Sequence, residues 1–230
     1  MIGRVLLVAL LAGIAAGLFM GVLQHVRITP LIIAAEKYEV VDTTHSDAAG
    51  EGEHSHNATE WAPEDGLERT IYTIATTAIA GAGFAALLTG LSFLLAIPIT
   101  RANGLFWGMC GFLAISLAPA AGLPPELPGM PAAELNARML WWLMTIVFTA
   151  TALWLGVMRR EYWAPALALT LVMLPHLIGA PQAESHASPV PLAIYAAFVT
   201  SSLAANALFW SMIGLFLGFA LHNFAKEAVQ

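Results

Sequence analysis

The polar positions of this chain are bunched, and the apolar positions between them run on without the alternation of a half-buried strand. After Arg4 comes VLLVALLAGIAAGLFMGVL, which no charged or amide side chain interrupts before Gln24. In hydrocarbon every backbone N–H and C=O has to be satisfied within its own segment, so runs of about 20 apolar residues predict spanning helices. Six helices follow, over residues of about 4–24, 68–97, 104–119, 136–158, 164–178 and 193–222. The third and fifth are short, and each is expected to end at a proline, Pro119 and Pro175. The first run is read as a retained helix rather than a signal peptide, because no small-residue cleavage site precedes Gln24 and His25. No period-2 pattern supports a barrel. The expected fold is an all-α integral membrane protein: a bundle of about six transmembrane helices with three loops on the outer face, residues 1–230 forming a single transmembrane domain.

Three polar segments separate the spans on one side. Residues 37–66 form an acidic, His-containing segment, EKYEVVDTTHSDAAGEGEHSHNATEWAPEDGLER with its flank, too polar to bury. The second, APAAGLPPELPGMPAAELNAR, is stiffened by prolines at 119, 124, 125, 128 and 131, whose φ angles are fixed. The third, LPHLIGAPQAESHASPVP, shares that style. Asn136-Ala137 with Trp141 follows the second loop and Asn206-Ala207 with Trp210 follows the third, the mark of a repeated helical hairpin with altered spacing. Glycines at 13, 17 and 21, at 104 and 108, and at 214 and 218 recur every fourth residue, which lets helices approach closely within the bundle or against a partner.

Composition agrees: 59% of the residues are hydrophobic and 10% charged. The single cysteine, Cys110, excludes disulfides and thiolate clusters within one chain. Basic residues set orientation by the positive-inside rule. Arg4, Arg101, Arg159, Arg160 and Lys226 fall on one side, and Arg27, Lys37, Arg69 and Arg138 on the other. Both termini are therefore expected in the cytoplasm, the protein being multi-pass in a bacterial cytoplasmic membrane. Acidic residues other than Glu161 and Glu227 all fall outside, with six of the seven histidines.

Imidazoles and carboxylates gathered without cysteine are the ligands of a divalent transition metal. His54 and His56, flanked by Glu51 and Glu53, point the same way on an extended chain and can share an ion, or form a solvated acidic loop that binds metal incidentally. His176 is read in two ways. It is a structural histidine bonded to a carbonyl freed by Pro175, or it belongs with Glu126, Glu36 and His25 to an entrance site, with His186 nearby in the third loop. Arg69 and Arg138 either snorkel to headgroups or pair with Glu68, Glu126 or Glu134. Thr70, Thr73 and Thr77 share a helix face as hydroxyls do when bonded to preceding carbonyls, and Asn206 is an amide deep in a span. No HExxH, GxSxG or nucleotide-binding glycine loop is present, so no enzyme activity and no resident cofactor are expected. The helix cores hold few ionisable groups, so a polar path calls for an oligomer or an added helix. A non-transporting scaffold or metal-responsive assembly subunit fits the same features.

The ordered set LIIAAEKYE, the acidic His loop, WAPEDGLERT, GLPPELPGM leading to ARMLWW, LPHLIGAP and NALFW resembles the CbtA family of proposed cobalt transporter subunits, over nearly the whole chain. The resemblance implies a membrane subunit of cobalt uptake, associated with cobalamin synthesis, and a small CbtB-like partner with one helix and a His-rich end. It assigns no site residue. Imidazole and carboxylate ligands do not single out Co2+, since Ni2+ or Zn2+ bind such a set as well or better. Beyond the lipid bilayer and that partner, a homo-oligomer is an open alternative, and no nucleic acid is expected.

Overall fold

A computed structural model describes residues 2–46, 63, 66–183 and 188–227, with side chains described for 2–38, 63, 66–183 and 188–222. Among these residues the architecture is wholly helical. The helices are α1 (Ile2–Leu23), α2 (Thr29–Ser46), α3 (Leu67–Leu94), α4 (Gly104–Gly111), α5 (Ala118–Ala120), α6 (Leu135–Met158), α7 (Ala164–Ile178) and α8 (Leu192–Glu227). A π-helical turn, Gln24–Ile28, joins α1 to α2 without a break, and a second, Phe112–Leu117, joins α4 to α5. The bundle therefore has six helical rods, the number expected from the apolar runs. Four are long and apolar enough to cross a membrane: Ile2–Tyr38, Leu67–Leu94, Leu135–Met158 and Leu192–His222. Gly104–Ala120 and Ala164–Ile178 are shorter and equally apolar. At 1.5 Å per residue the 15-residue α7 reaches about 22 Å, less than a full hydrocarbon thickness.

Each π turn ends two residues before a proline, Pro30 in one case and Pro119 in the other. Proline offers no N–H to the carbonyl four residues back, and its ring crowds that carbonyl, so the ladder widens by one residue rather than breaking. The expectation that Pro175 ends its helix is corrected here, whereas Pro119 does sit in the last turn of the third rod. The third rod runs to Ala120, and α7 runs through Pro175 to Ile178. What stops α7 is Gly179, whose φ of +89° is a conformation that a side chain resists. Likewise the first rod does not end near Gln24. It continues beyond the apolar run, so Glu36 and the first ten residues of the 37–66 segment are helical.

Two glycine seams hold the bundle. A Cβ added at Gly13 would collide with the carbonyl of Gly81, and one at Gly17 with that of Thr77, so α1 and α3 pack backbone to backbone and antiparallel. In the same way Gly104 and Gly108 of α4 lie on Gly214 and the Trp210 carbonyl of α8, with Gly218 against Thr100. α8 packs against both α1 and α4 and supplies the three largest fully buried side chains among the described residues, Trp210, Ile213 and Leu217. The α6–α7 hairpin stands to one side and meets the rest chiefly through the second π turn and α5. Trp141 and Trp210 do not play matched parts: Trp141 lies two turns into its helix and Trp210 mid-span, so the repeated Asn-Ala motif does not mark equivalent depths. The outward faces carry Leu6, Leu7, Leu11, Leu18 and their like, the surface expected toward lipid.

The antiparallel crossings sort the loops. Gly21 faces Ile74, His25 meets Thr70, and Trp141 meets Pro175, so α2, the 121–134 loop and the 179–191 loop share one end of the bundle. At the other end Arg101 lies over the Phe219 ring at 4.1 Å, and Arg159 pairs with Glu161 at 3.7 Å.

A candidate ion-receiving face

The polar end is organised by two arginine–carboxylate clasps. Because the first rod continues past its apolar run, Glu36 of α2 comes beside the first turn of α3, where Arg69 grips both its oxygens, Nη1 to Oε2 at 3.3 Å and Nη2 to Oε1. Across the end, Glu126 on the PPELPG turn accepts from Arg138 Nη2 at 2.6 Å, in the first turn of α6. All four side chains are about a quarter to a third exposed. Exposed pairs of this kind are worth up to about 1 kcal/mol, so they position the elements more than they stabilise them. Glu134 caps α6, its carboxylate accepting from Asn136 N at 2.9 Å and Ala137 N at 2.7 Å. Those backbone bonds hold its pKa below the ordinary carboxylate value.

His25 sits in the first π turn with Nδ1 3.1 Å from Thr70 Oγ1. The Thr70 hydroxyl also lies 2.8 Å from Gly66 O, so one side chain ties the first turn of α3 to the π turn. His176 does not sit on Glu126. Its ring meets the edge of Trp141 at a centroid distance of 5.7 Å. Trp141 Nε1 in turn donates to Pro175 O at 3.1 Å, joining the Gly179 N–H that bonds the same carbonyl.

Among the described residues, no three His, Cys, Asp or Glu come together to hold a metal ion, Glu36, Glu126, His176 and His25 included. Glu51, Glu53, His54, His56 and His186 lie outside the described residues. Between the second and third loops the structure opens a cleft of about 170 Å³, lined by Glu126, Gln182, Ser188 and Tyr195 with Pro124 and Pro181 among its walls. Of these only Glu126 belongs to the residues that sequence reasoning had singled out. Tyr195 was hidden because it starts an apolar span, and Gln182 because an exposed loop amide carries no pattern. The Arg69–Glu36 clasp was hidden by the assumption that the first helix stops at Gln24, whereas Arg138–Glu126 was among the pairings foreseen.

The spans below this face carry no matching chain of charges. Their hydroxyls turn back on their own helices, as with Thr73 to Arg69 O, Thr77 to Thr73 O, Thr89 to Ala85 O and Thr145 to Trp141 O, each at 2.8–2.9 Å. Asn206 does the same to Ser202 O at 3.0 Å. Polar groups spent in this way do not line a path, and Thr149 Oγ1 of α6 is a buried exception that finds no partner among the described residues.

No curated protein and no solved structure matches the chain. A family model described as probable cobalt transporter subunit (CbtA) matches residues 2–222. With that match running from the first rod to the last, the chain belongs to the CbtA family of probable cobalt transporter subunits.

Proposed function

We propose that this chain is the membrane subunit of a divalent transition-metal uptake system whose ion is cobalt, a carrier of ions rather than a catalyst. The observation that carries the reading is the family match over residues 2–222. Its support in the geometry is the gathering of carboxylates and imidazoles at one end of the bundle. In this reading Glu51, Glu53, His54 and His56 collect the ion, His25 and His176 stand on the rim, and Glu36 and Glu126 act from their arginine clasps. The loaded end faces outward and both termini face the cytoplasm of a bacterial inner membrane. Because the seams are glycine-tight and span hydroxyls such as those of Thr89 and Thr145 are bonded within their helices, passage requires a second membrane component, which a small single-helix, His-rich subunit or a second copy of the chain would supply. Those closed seams also favour a second reading, in which the chain scaffolds the assembly and another subunit conducts.

Radioactive cobalt accumulation in uptake-deficient cells separates the two. Expression with the small subunit is expected to produce saturable accumulation, with nickel and zinc as competitors that rank the ion preference. No accumulation from well-inserted protein, with the partner present, would leave the scaffold.

A further inference from the structure

The cleft between the two proline-rich loops has a chemistry of its own. Pro124, Pro131 and Pro181 line it and have no N–H to offer. Among the described residues no backbone N–H bonds to the carbonyls of residues 122–126. The amide nitrogen of Gln182 donates to Ala180 O at 3.1 Å, and Ser188 Oγ accepts from Val190 N at 3.2 Å. Glu126 lines the cleft while Arg138, which holds it, does not. The walls carry one carboxylate, the Gln182 amide and the Ser188 and Tyr195 hydroxyls, each of which has an oxygen acceptor. Such a surface receives a cation that brings its own hydrogen-bond donors.

We infer that this cleft is an outer-sphere receiving site for a hydrated divalent cation, with Glu126 supplying the charge and Gln182, Ser188 and Tyr195 accepting hydrogen bonds from the ion's water. The inference rests on the metal-uptake reading above and gives that reading a place on the molecule. One carboxylate is too few for a direct coordination sphere of Co2+, which takes several nitrogen or oxygen ligands. A volume of about 170 Å³ has room for several water molecules, so the ion enters with its shell. Arg138 sets the strength. Its guanidinium shares the Glu126 carboxylate from outside the cleft, which keeps the site weak enough to release what it receives, the condition for conduction.

Hexaamminecobalt(III) tests the assignment, because its six ammonia ligands do not exchange and it binds only through their N–H groups. Equilibrium dialysis of Co2+ on the purified full chain, with and without excess hexaamminecobalt(III), isolates the outer-sphere fraction from any ion held directly by imidazoles. A displaceable fraction is expected in the wild type. Glu126→Gln should weaken it by about tenfold or more, the loss of a charged hydrogen-bond acceptor. Tyr195→Phe should weaken it by a smaller factor, and Arg138→Gln should tighten it. Unchanged thermal unfolding identifies variants that remain folded, and Tyr195→Phe and Gln182→Ala decide the matter if the clasp variants do not fold. Absence of a displaceable fraction in the wild type, or its persistence in folded Glu126→Gln, overturns the inference. Cobalt accumulation in cells separates this from the broader reading. Wild-type accumulation with the same half-saturation in Glu126→Gln and Tyr195→Phe sinks the cleft alone. Failed wild-type accumulation with the dialysis result intact sinks the uptake reading and leaves the site.

Discussion

Where α1 crosses α3, and where α4 crosses α8, backbone rests on backbone; where α6 pairs with α7, a tryptophan ring and one hydrogen bond to Pro175 O take that place. In a glycine seam no rotamer can move aside, so the contact is either as built or lost. In the hairpin, the Trp141 ring fills the space over Gly122 and can adjust. The two kinds of join divide the molecule into a fixed core around α8 and a side hairpin that touches it near the polar end. The cleft lies at that boundary, with Arg138 of α6 holding Glu126 from the hairpin side and Tyr195 of α8 facing it from the core.

The sharpest way to break the comparison is a large residue in a seam. Gly17→Leu is expected to separate α1 from α3, a loss of several kcal/mol of the kind that overpacking and lost close contact produce, read as unfolding at lower denaturant in mixed micelles. Gly83→Leu on the same α3 meets nothing within 4 Å and should leave the midpoint nearly unchanged, so equal losses from the two would deny the seam its role. Next in size is the hairpin. Trp141→Phe removes one of the two donors to the buried Pro175 carbonyl, leaving the Gly179 N–H, with an expected cost of about 0.5–1.5 kcal/mol. Ala96, in the turn after α3, is a non-glycine residue at φ +54°. Ala96→Gly should therefore raise stability by about 1 kcal/mol, and a fall would show that the turn depends on the methyl group. The smallest effect concerns pH. The Glu134 carboxylate is held below its ordinary value of 4.5 by the α6 cap bonds, so its contribution is whole above that value and is lost as pH falls through the lowered one. Glu134→Gln should flatten that acid limb, and an unchanged acid limb would remove the cap from the account.

Much of this fold was legible in the chain. Continuous apolar runs located the six rods, the four-residue glycine spacings marked the faces that meet, and the threonine faces announced hydroxyls bonded to their own helices. The spacing did not say which stripe meets which, because glycine removes side chains and with them any complementary pattern. One proline misled: Pro175 was expected to stop a helix that in fact runs three residues further, its carbonyl accepting from Gly179 N where the helix ends. The candidate site was legible only as a side of the membrane. Arg138 was among the partners foreseen for Glu126, but the Arg69 clasp on Glu36, 33 residues away, follows from a helix continuation that no local motif records.

The central claim, that this chain receives cobalt at its polar end and needs a second membrane component to pass it, is tested most directly by cobalt entry into proteoliposomes that enclose a cobalt-quenched dye. The account predicts saturable quenching when the chain is reconstituted with the small His-rich subunit, and none with the Gly17→Leu chain in its place. Equal quenching from that disrupted chain, or from the small subunit alone, would contradict it.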